Sequence, residues 1–307
     1  MTDLSSRRSG LLLAAIAAVL FSAKAILAKL MYRYGIDAVV LITLRMLFAL
    51  PVFAFVAVLE TWRARERGDH LSRADLGRIA VLGLLGYYLS SFLDFWGLEY
   101  INASLERLIL FLNPSLVLLI GVLFLRQRVS GRQWAALAVS YAGIVLVFWE
   151  NLRLGGAHVV LGSALVFGAA LSYALYLLLS GELVRKVGSL RLVAYAMCVS
   201  TVACLVQFIA IHPLQALVQP APVYWLSLLN ATLCTIVPVY ATMFAVARIG
   251  AGATSQTAML GPVSLLLLGW WILDEAVTPL QVAGTAVVLA GIALLARIPA
   301  PKAPAAD

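Results

Sequence analysis

Long apolar runs separated by short polar breaks make up nearly the whole chain. Ten runs stand at 11–31, 37–60, 77–97, 101–125, 132–149, 160–181, 190–211, 223–247, 253–273 and 279–297. Each has about the 18–25 residues that a helix needs to cross the hydrocarbon core of a bilayer. The breaks hold turn-forming and charged residues: "RYGID" at 33–37, "RARERGDHLSRAD" at 63–75, "RQRVSGR" at 126–132, "ENLRLGGAH" at 150–158, "HPLQALVQPAP" at 212–222 and "DEAVTP" at 274–279. The runs lack the period-two alternation of a membrane barrel, so each is expected to be helical. The stretch "RRSGLLLAAIAAVLFSAKA" at 7–25 has the build of a secretory signal. Its apolar run continues further and nine more follow, so it is read as the first span.

Composition agrees with that pattern. Of 307 residues, 63% are hydrophobic and 12% charged, where soluble domains carry about 25% charged residues. A net charge of +8 would suit nucleic acid, but the basic residues fall in the gaps between apolar runs. The expected partner is therefore the lipid bilayer and not nucleic acid. With the N-terminus placed in the cytoplasm, sixteen lysines and arginines fall inside, and Arg33 and Arg153 alone fall outside. That bias predicts cytoplasmic N- and C-termini and a multi-pass protein of the inner membrane. Cys198, Cys204 and Cys234 lie within apolar runs, and His70, His158 and His212 lie in breaks. No metal-ligand spacing, P-loop, HExxH or G-x-S-x-G is present, so no catalytic residue, metal or cofactor is expected.

The chain repeats itself. Residues 112–146 align without a gap on 260–294, with about fifteen of thirty-five positions identical. Pro114 meets Pro262, Gly121 meets Gly269, Gln133 meets Gln281 and Gly143 meets Gly291. The period is five helices, an odd number, so the second half enters the membrane from the opposite side. The expected fold is ten transmembrane helices arranged as two inverted five-helix repeats, 1–149 and 150–298, with a short tail at 299–307. Such halves can rock about a central site and open it to either face in turn. The segments "LERLILFLNPSLVLLIGVLFL" at 105–125 and "SQTAMLGPVSLLLLGWWILDEAVTPLQVAGTAVVLAGIALL" at 255–295 carry a resemblance. They resemble the EamA-type transporters of the drug/metabolite transporter superfamily, as do the stretches 21–46 and 168–197. The resemblance implies transport of small metabolites, amino acids or drugs. One departure is visible: where Glu275 opens the last turn, the first half has Gln127.

Four basic residues lie within the runs: Lys24, Lys29, Arg45 and Arg107. A charge at the middle of a span costs roughly 2.5–3.5 kcal/mol on insertion scales, so each needs a partner or a wet cavity. Lys24, Arg45, Glu106 and Arg107 come out roughly 8–12 Å below the outer boundary at 1.5 Å per residue, with Asp94 shallower. Lys29, near a helix end, is expected to snorkel to the interface. Neighbouring Glu106 and Arg107 point about 100° apart and must find partners on other helices. The expected pairs are Arg107 with Asp94, and Glu106 with Lys24 or Arg45. One cation is left over unless Glu99 reaches in from its loop, and a spare cation suits a solute carboxylate. A fixed structural ion network is the other reading. Asp94 and Glu106 are also candidates for proton uptake, although pairing with cations opposes it.

The second half answers these charges with Ser255 opposite Arg107, Thr254 opposite Glu106, Thr242 opposite Asp94, and Leu175 roughly opposite Lys24. Ser255, Gln256 and Tyr176 complete the expected cavity lining. Tyr87, Tyr88, Ser90 and Ser91 on one helix, and Ser172, Tyr173, Tyr176 and Ser180 on another, could add to it. Asn113–Pro114 and Gly261–Pro262 are expected to break their helices at matched depths. The function expected is a secondary transporter of a small metabolite, either an amino acid-like or other carboxylate-bearing solute or a drug, exported by alternating access around a central cavity, with proton coupling and a homodimer compatible. A channel or a scaffold is the alternative.

Overall fold

The computed structural model describes residues 2–69, 71–125, 130–155, 157–258 and 260–296. Helices and turns, but no strands, occur among them. Helices α1 (Thr2–Tyr32) and α2 (Ala38–Glu66) cover the first two apolar runs. The third helix is continuous, built from α3 (Arg73–Gly83), a π-helical turn (Leu84–Leu89) and α4 (Ser90–Leu98). The fourth run splits into α5 (Ala103–Leu110) and α6 (Asn113–Leu125). Then come α7 (Gly131–Gly155), α8 (Ala157–Val187), α9 (Ser189–Ile211) and α10 (Ala221–Ala231). A second π-helical turn (Thr232–Ile236), α11 (Val237–Ala258), α12 (Leu260–Leu273) and α13 (Pro279–Ala296) complete the described chain. Eight helical stretches among the described residues are long and apolar enough to cross a membrane, and two shorter apolar helices, Leu260–Leu273 and Pro279–Leu294, follow them. This is an all-α, multi-pass membrane protein.

The polar breaks place the helix starts. Asp37 accepts from the Val40 amide at 2.9 Å, Asn102 from the Leu105 amide at 2.8 Å, and Ser72 with Asp75 forms a reciprocal cap. Each cap satisfies amide donors that an apolar slab would leave bare. The identity of Gln133 with Gln281 has the same origin. Gln133 stands three residues after Ser130 and accepts from its amide at 2.8 Å. The Gln281 amide donates to Thr278 Oγ1 at 3.1 Å. Both helices thus start on a hydroxyl cap with glutamine at its third position.

Contacts between breaks sort the helix ends into two sets. At one end the Ala38 amide donates to Glu99 Oε1 at 2.7 Å, His212 meets Asp37 at 2.8 Å and Arg33 donates to the Leu273 carbonyl at 3.1 Å. There Asn102 also donates to Asn151 at 2.6 Å and Thr278 to Glu150 at 2.7 Å. At the other end Lys186 pairs with Asp75 at 2.7 Å, and Thr61 meets Tyr195. These contacts gather the helix ends around the breaks after α1, α4, α7, α9 and α12 on one side and those around the breaks after α2 and α8 on the other.

Two details differ from the sequence pattern. His158 lies inside α8 and stacks on Tyr100 at 6.1 Å between ring centroids. The break expected after residue 247 carries helical backbone up to Ala258. The chain nevertheless turns back in this region. Gly10 lies against Arg248 and Ile249 and Ser227 donates to the Met31 sulfur at 3.3 Å, so α1 runs antiparallel to α10 and α11. Ser22 donates to the Gly261 carbonyl at 3.0 Å and Arg33 to that of Leu273, so α1 runs parallel to α12. The reversal falls between Ile249 and Gly261, where Gly250 and Gly252 stand.

Contacts recur at fixed offsets along the chain. Gly162 lies against Tyr100 and Ile101 in the way Gly10 lies against Arg248 and Ile249. That sets α8 against α1 at an offset of 152 residues and their partners at 148. The two π-helical turns begin at Leu84 and Thr232, again 148 apart. Helices α7 and α13 cross through a reciprocal contact: Gly143 touches the Gly284 carbonyl and the Val288 amide, and Gly291 touches the Ala136 carbonyl and the Ser140 amide. The 148-residue shift exchanges one contact for the other. An offset of 152 also corrects the expected counterpart of Lys24, which is Tyr176 and not Leu175.

A side chain at either crossing glycine has no room. A Cβ on Gly143 would stand 2.7 Å from the Gly284 oxygen, and one on Gly284 would stand 2.3 Å from Val147 Cγ2. Gly284→Val is expected to lower stability by about 1–3 kcal/mol, read as the thermal midpoint in detergent. Gly131→Ala, where the added methyl meets nothing within 4 Å, should leave that midpoint unchanged. Equal midpoints for both variants would remove the close crossing from the account.

Candidate functional site

Charged residues on α1, α2, α4 and α5 meet in the half of the bundle nearer the Asp37–His212 end. The Lys24 ammonium pairs with Asp94 Oδ2 and lies 3.6 Å from Glu106 Oε1. One cation thus faces two carboxylates. Glu106 is 0% exposed and Asp94 is 3% exposed. Asp94 Oδ1 and Glu106 Oε2 have no hydrogen-bond partner. The aromatic ring next to Asp94 serves as the floor: Lys24 Nζ sits 5.2 Å from the Phe95 centroid, and the Arg45 guanidinium sits 4.9 Å from it. Tyr32 donates to the Phe95 carbonyl at 2.6 Å and fixes that residue between α1 and α4.

The expected pairing is therefore half right. Glu106 does find Lys24, but Asp94 pairs with Lys24 and not with Arg107. Nor does Glu99 reach inward, since its side chain caps α2 at Ala38. Among the described residues no carboxylate lies within 4 Å of either Arg45 or Arg107. Arg45 donates to Ser91 Oγ at 3.1 Å. Arg107, turned away from Glu106 around α5, lies 5.4 Å from the Phe111 ring centroid. The Nε of each guanidinium is buried without a hydrogen-bond partner. A cation–π contact contributes about 0.5–2 kcal/mol, while desolvating a guanidinium costs several. Both groups retain unmet capacity to bind an anion.

Arg107 also reaches the opposite half of the chain. Its Nη2 is 3.1 Å from where a Cβ on Gly261 would stand, and Ser22 Oγ and Phe111 crowd the same spot. Gly261 and Pro262 lie in the first turn of α12, as Asn113 and Pro114 begin α6. Asn113 donates to the Leu110 carbonyl at 2.8 Å and so closes the end of α5. The helix break between them falls at Phe111 and Leu112. The matching residue before α12, Met259, is outside the described residues. A proline opening a helix costs no amide hydrogen bond, which is why these breaks are tolerated in an apolar slab.

The other expected lining residues are distributed differently. Tyr176 joins Tyr87 and Tyr173 and not the ionic cluster. The side chains of Ser255 and Gln256 are outside the described residues. Ser180 bonds its own helix at the Leu177 carbonyl. Ser172 donates across to the Leu85 carbonyl at 2.7 Å. Asn230 is fully buried with both amide atoms unpartnered; its polarity within an apolar run was the signal that could have found it. Phe95, Ser22 and Phe111 carry no signal in the sequence.

Two acids at the helix ends frame the site. Glu275 Oε1 accepts from the Ala103 amide at 3.3 Å, so the turn before α13 caps α5. Burial pushes the Glu275 carboxyl up from the usual range, against that bond and the Lys29 charge. Burial likewise pushes Glu99 up, against the Ala38 bond. Two grooves of about 690 and 480 Å³ lie elsewhere. The first is lined chiefly by α9 with Leu84 and Tyr88, the second by α3 and α8; neither includes the ionic cluster.

The comparisons with known proteins agree with one another. Residues 8–149 and 160–297 each match the model of the EamA-like transporter family. The chain is 29% identical over 287 residues to "Uncharacterized transporter YcbK" of Bacillus subtilis (strain 168), covering 90% of this chain and 89% of that one. It is 27% identical over 230 residues to "Probable terminal-alkyne amino-acid exporter" of Streptantibioticus cattleyicolor, covering 73% and 74%. A solved crystal structure aligns with a TM-score of 0.62 at 20% identity, over 94% of this chain and 97% of that one, and shares the fold.

Lys24→Met would leave two buried carboxylates without the cation they share. The expected loss of stability is about 3–5 kcal/mol, measured by denaturant unfolding in detergent. Adding Asp94→Asn and Glu106→Gln should recover most of it. A single variant as stable as the wild type would remove the ion cluster from the forces holding α1, α4 and α5.

Proposed function

This chain belongs to the EamA-like transporter family, and from that premise we propose that it is a secondary transporter exporting a small carboxylate-bearing solute across the inner membrane. The solute is amino acid-like. Its carboxylate docks at Arg107 beside the first turn of α12, with Ser255 and Gln256 on the facing half. Its cationic end, or a proton in its place, is taken by Glu106 and Asp94. The observation that carries this reading is the buried guanidinium of Arg107, with no carboxylate within 4 Å among the described residues and set against Gly261 in the first turn of α12. Discontinuous helices that meet near the middle of a bilayer are the usual place where transporters hold anionic groups.

The proposed machine is two inverted five-helix repeats, 1–149 and 150–298, both termini cytoplasmic, exchanging conformations to open the site to either face. The reciprocal α7–α13 crossing and the paired π-helical turns support the repeats. The sixteen-to-two distribution of basic residues supports the orientation. The name carried by the Streptantibioticus relative supports the solute class. Proton coupling is supported by the sharing of one lysine between two buried acids, Asp94 and Glu106, which leaves carboxylate oxygens without a partner.

The test is metabolite profiling of the medium of cells expressing wild type, Arg107→Ala or empty vector, at matched membrane levels. A carboxylate-bearing solute should accumulate outside with the wild type and fall at least roughly tenfold in rate with Arg107→Ala. If both proteins move the same solute equally, Arg107 is structural. If neither alters any solute in either direction, export is the wrong reading.

A further inference from the structure

The lysine at the centre of the ionic cluster has a counterpart in the second half that carries no charge. Under the offsets set by the glycine contacts, Lys24 corresponds to Tyr176 and the second π-helical turn to the first. Helix α1 packs on the second turn as α8 packs on the first. At the first turn Gly86 lies directly under the Tyr176 ring, so that a Cβ there would stand 2.4 Å from it. The Tyr87 and Tyr176 hydroxyls are 3.1 Å apart. Their rings meet edge-on at 5.1 Å, and Tyr173 stacks on Tyr176 at 5.5 Å.

Tyr87 is also placed on the way to the charges. Tyr87, Ser91 and Asp94 follow one another along the third helix at intervals of four and three residues, a polar stripe. Tyr88, Phe92 and Trp96 form a separate stacked aromatic stripe. Ser91 holds Arg45 and Asp94 holds Lys24. The stripe therefore begins at the tyrosines and ends in the ionic cluster. The π-helical turn that carries Tyr87 is a local widening of the helix, and its Leu85 carbonyl accepts from Ser172 on α8 as well as from the Ser90 amide. Such turns recur at functional sites. The Tyr176 bond thus joins the first half to the second at a point that a single phenol hydrogen bond can open or close.

We propose that Tyr87, Tyr173 and Tyr176 form a gate and a second solute-contact site on the side of the ionic cluster facing the Asp75–Lys186 end. The Tyr87–Tyr176 bond closes it, and the uncharged part of the solute passes over the tyrosine rings before its ends reach the charges. This rests on the transport reading above. A solute with an apolar or aromatic side chain fits these ring faces and hydroxyls.

Solvent access tests the gate without a known solute. Cys198, Cys204 and Cys234 are replaced by serine, and Ser91→Cys supplies a single reporter between the gate and the charges. A membrane-impermeant methanethiosulfonate is applied to vesicles from the face bearing Asp75 and Lys186. Labelling should quicken by about five-fold with Tyr176→Phe or Tyr87→Phe, the shift that loss of one hydrogen bond allows, and by roughly tenfold or more with Tyr176→Ala. Unchanged labelling in the phenylalanine variants, which keep the packing, overturns the gate, whatever the alanine variant does to folding. If labelling quickens but no solute moves in the profiling experiment, the gate stands and the transport reading falls. If solute moves and labelling is flat, the reverse holds.

Discussion

An ammonium between two carboxylates, inside a slab with little water, constrains everything around it. Lys24 cannot leave Asp94 or Glu106 without stranding a buried charge, at a cost of several kcal/mol. It therefore ties α1 to α4 and to α5, the short half-helix beside the break at Phe111 and Leu112. Phe95 follows, because its ring must lie beneath both Lys24 and Arg45, and Tyr32 fixes its backbone. The small residue at Gly261 follows as well, because Arg107, turned away from the cluster, needs room where α12 begins. Among the described residues Arg107 has no carboxylate within 4 Å, because it leaves α5 on a different face from Glu106.

The scaffold is duplicated, while the chemistry is not. Glycine contacts, hydroxyl caps and π-helical turns recur at matched positions in both halves, because close helix packing in lipid demands small residues and satisfied backbone ends wherever the fold is repeated. Nothing in packing demands that Lys24 recur, and its counterpart is a tyrosine. Each half matches the same family model, so the two share a scaffold while carrying unlike residues at corresponding positions.

Much of the scaffold was legible in the sequence. Helix positions were visible because each span must satisfy its own backbone, and the repeat because prolines, glutamines and glycines serve one geometric purpose each. The charged residues were visible as a set, since few polar residues interrupt the apolar runs. Their pairing was not legible. Sequence spacing fixes that Glu106 and Arg107 diverge, but which acid Lys24 takes depends on how α1 crosses α4, and no local pattern encodes that angle. The Tyr176 correspondence was hidden by a four-residue difference between the offset of α8 against α1 and that of their partners. The chain reversal between Ile249 and Gly261 was legible at Gly250 and Gly252, although helical backbone extends to Ala258.

The presence of both Glu106 and Arg107 at the head of one apolar helix follows from these geometries. If the pair only secured the fold, the cheaper solution would be two apolar residues, since a well-packed core is often more stable than a buried ion pair. If they served each other, they would stand three or four residues apart. Standing side by side, they project to different neighbours: Glu106 to the lysine on α1, Arg107 to Gly261 in the first turn of α12. One residue anchors the half-helix to its own repeat, and the other spans to the second. Adjacent residues on one short helix thus supply an ionic contact within the first half and a close approach to the second, which no pair spaced to meet on one face could do.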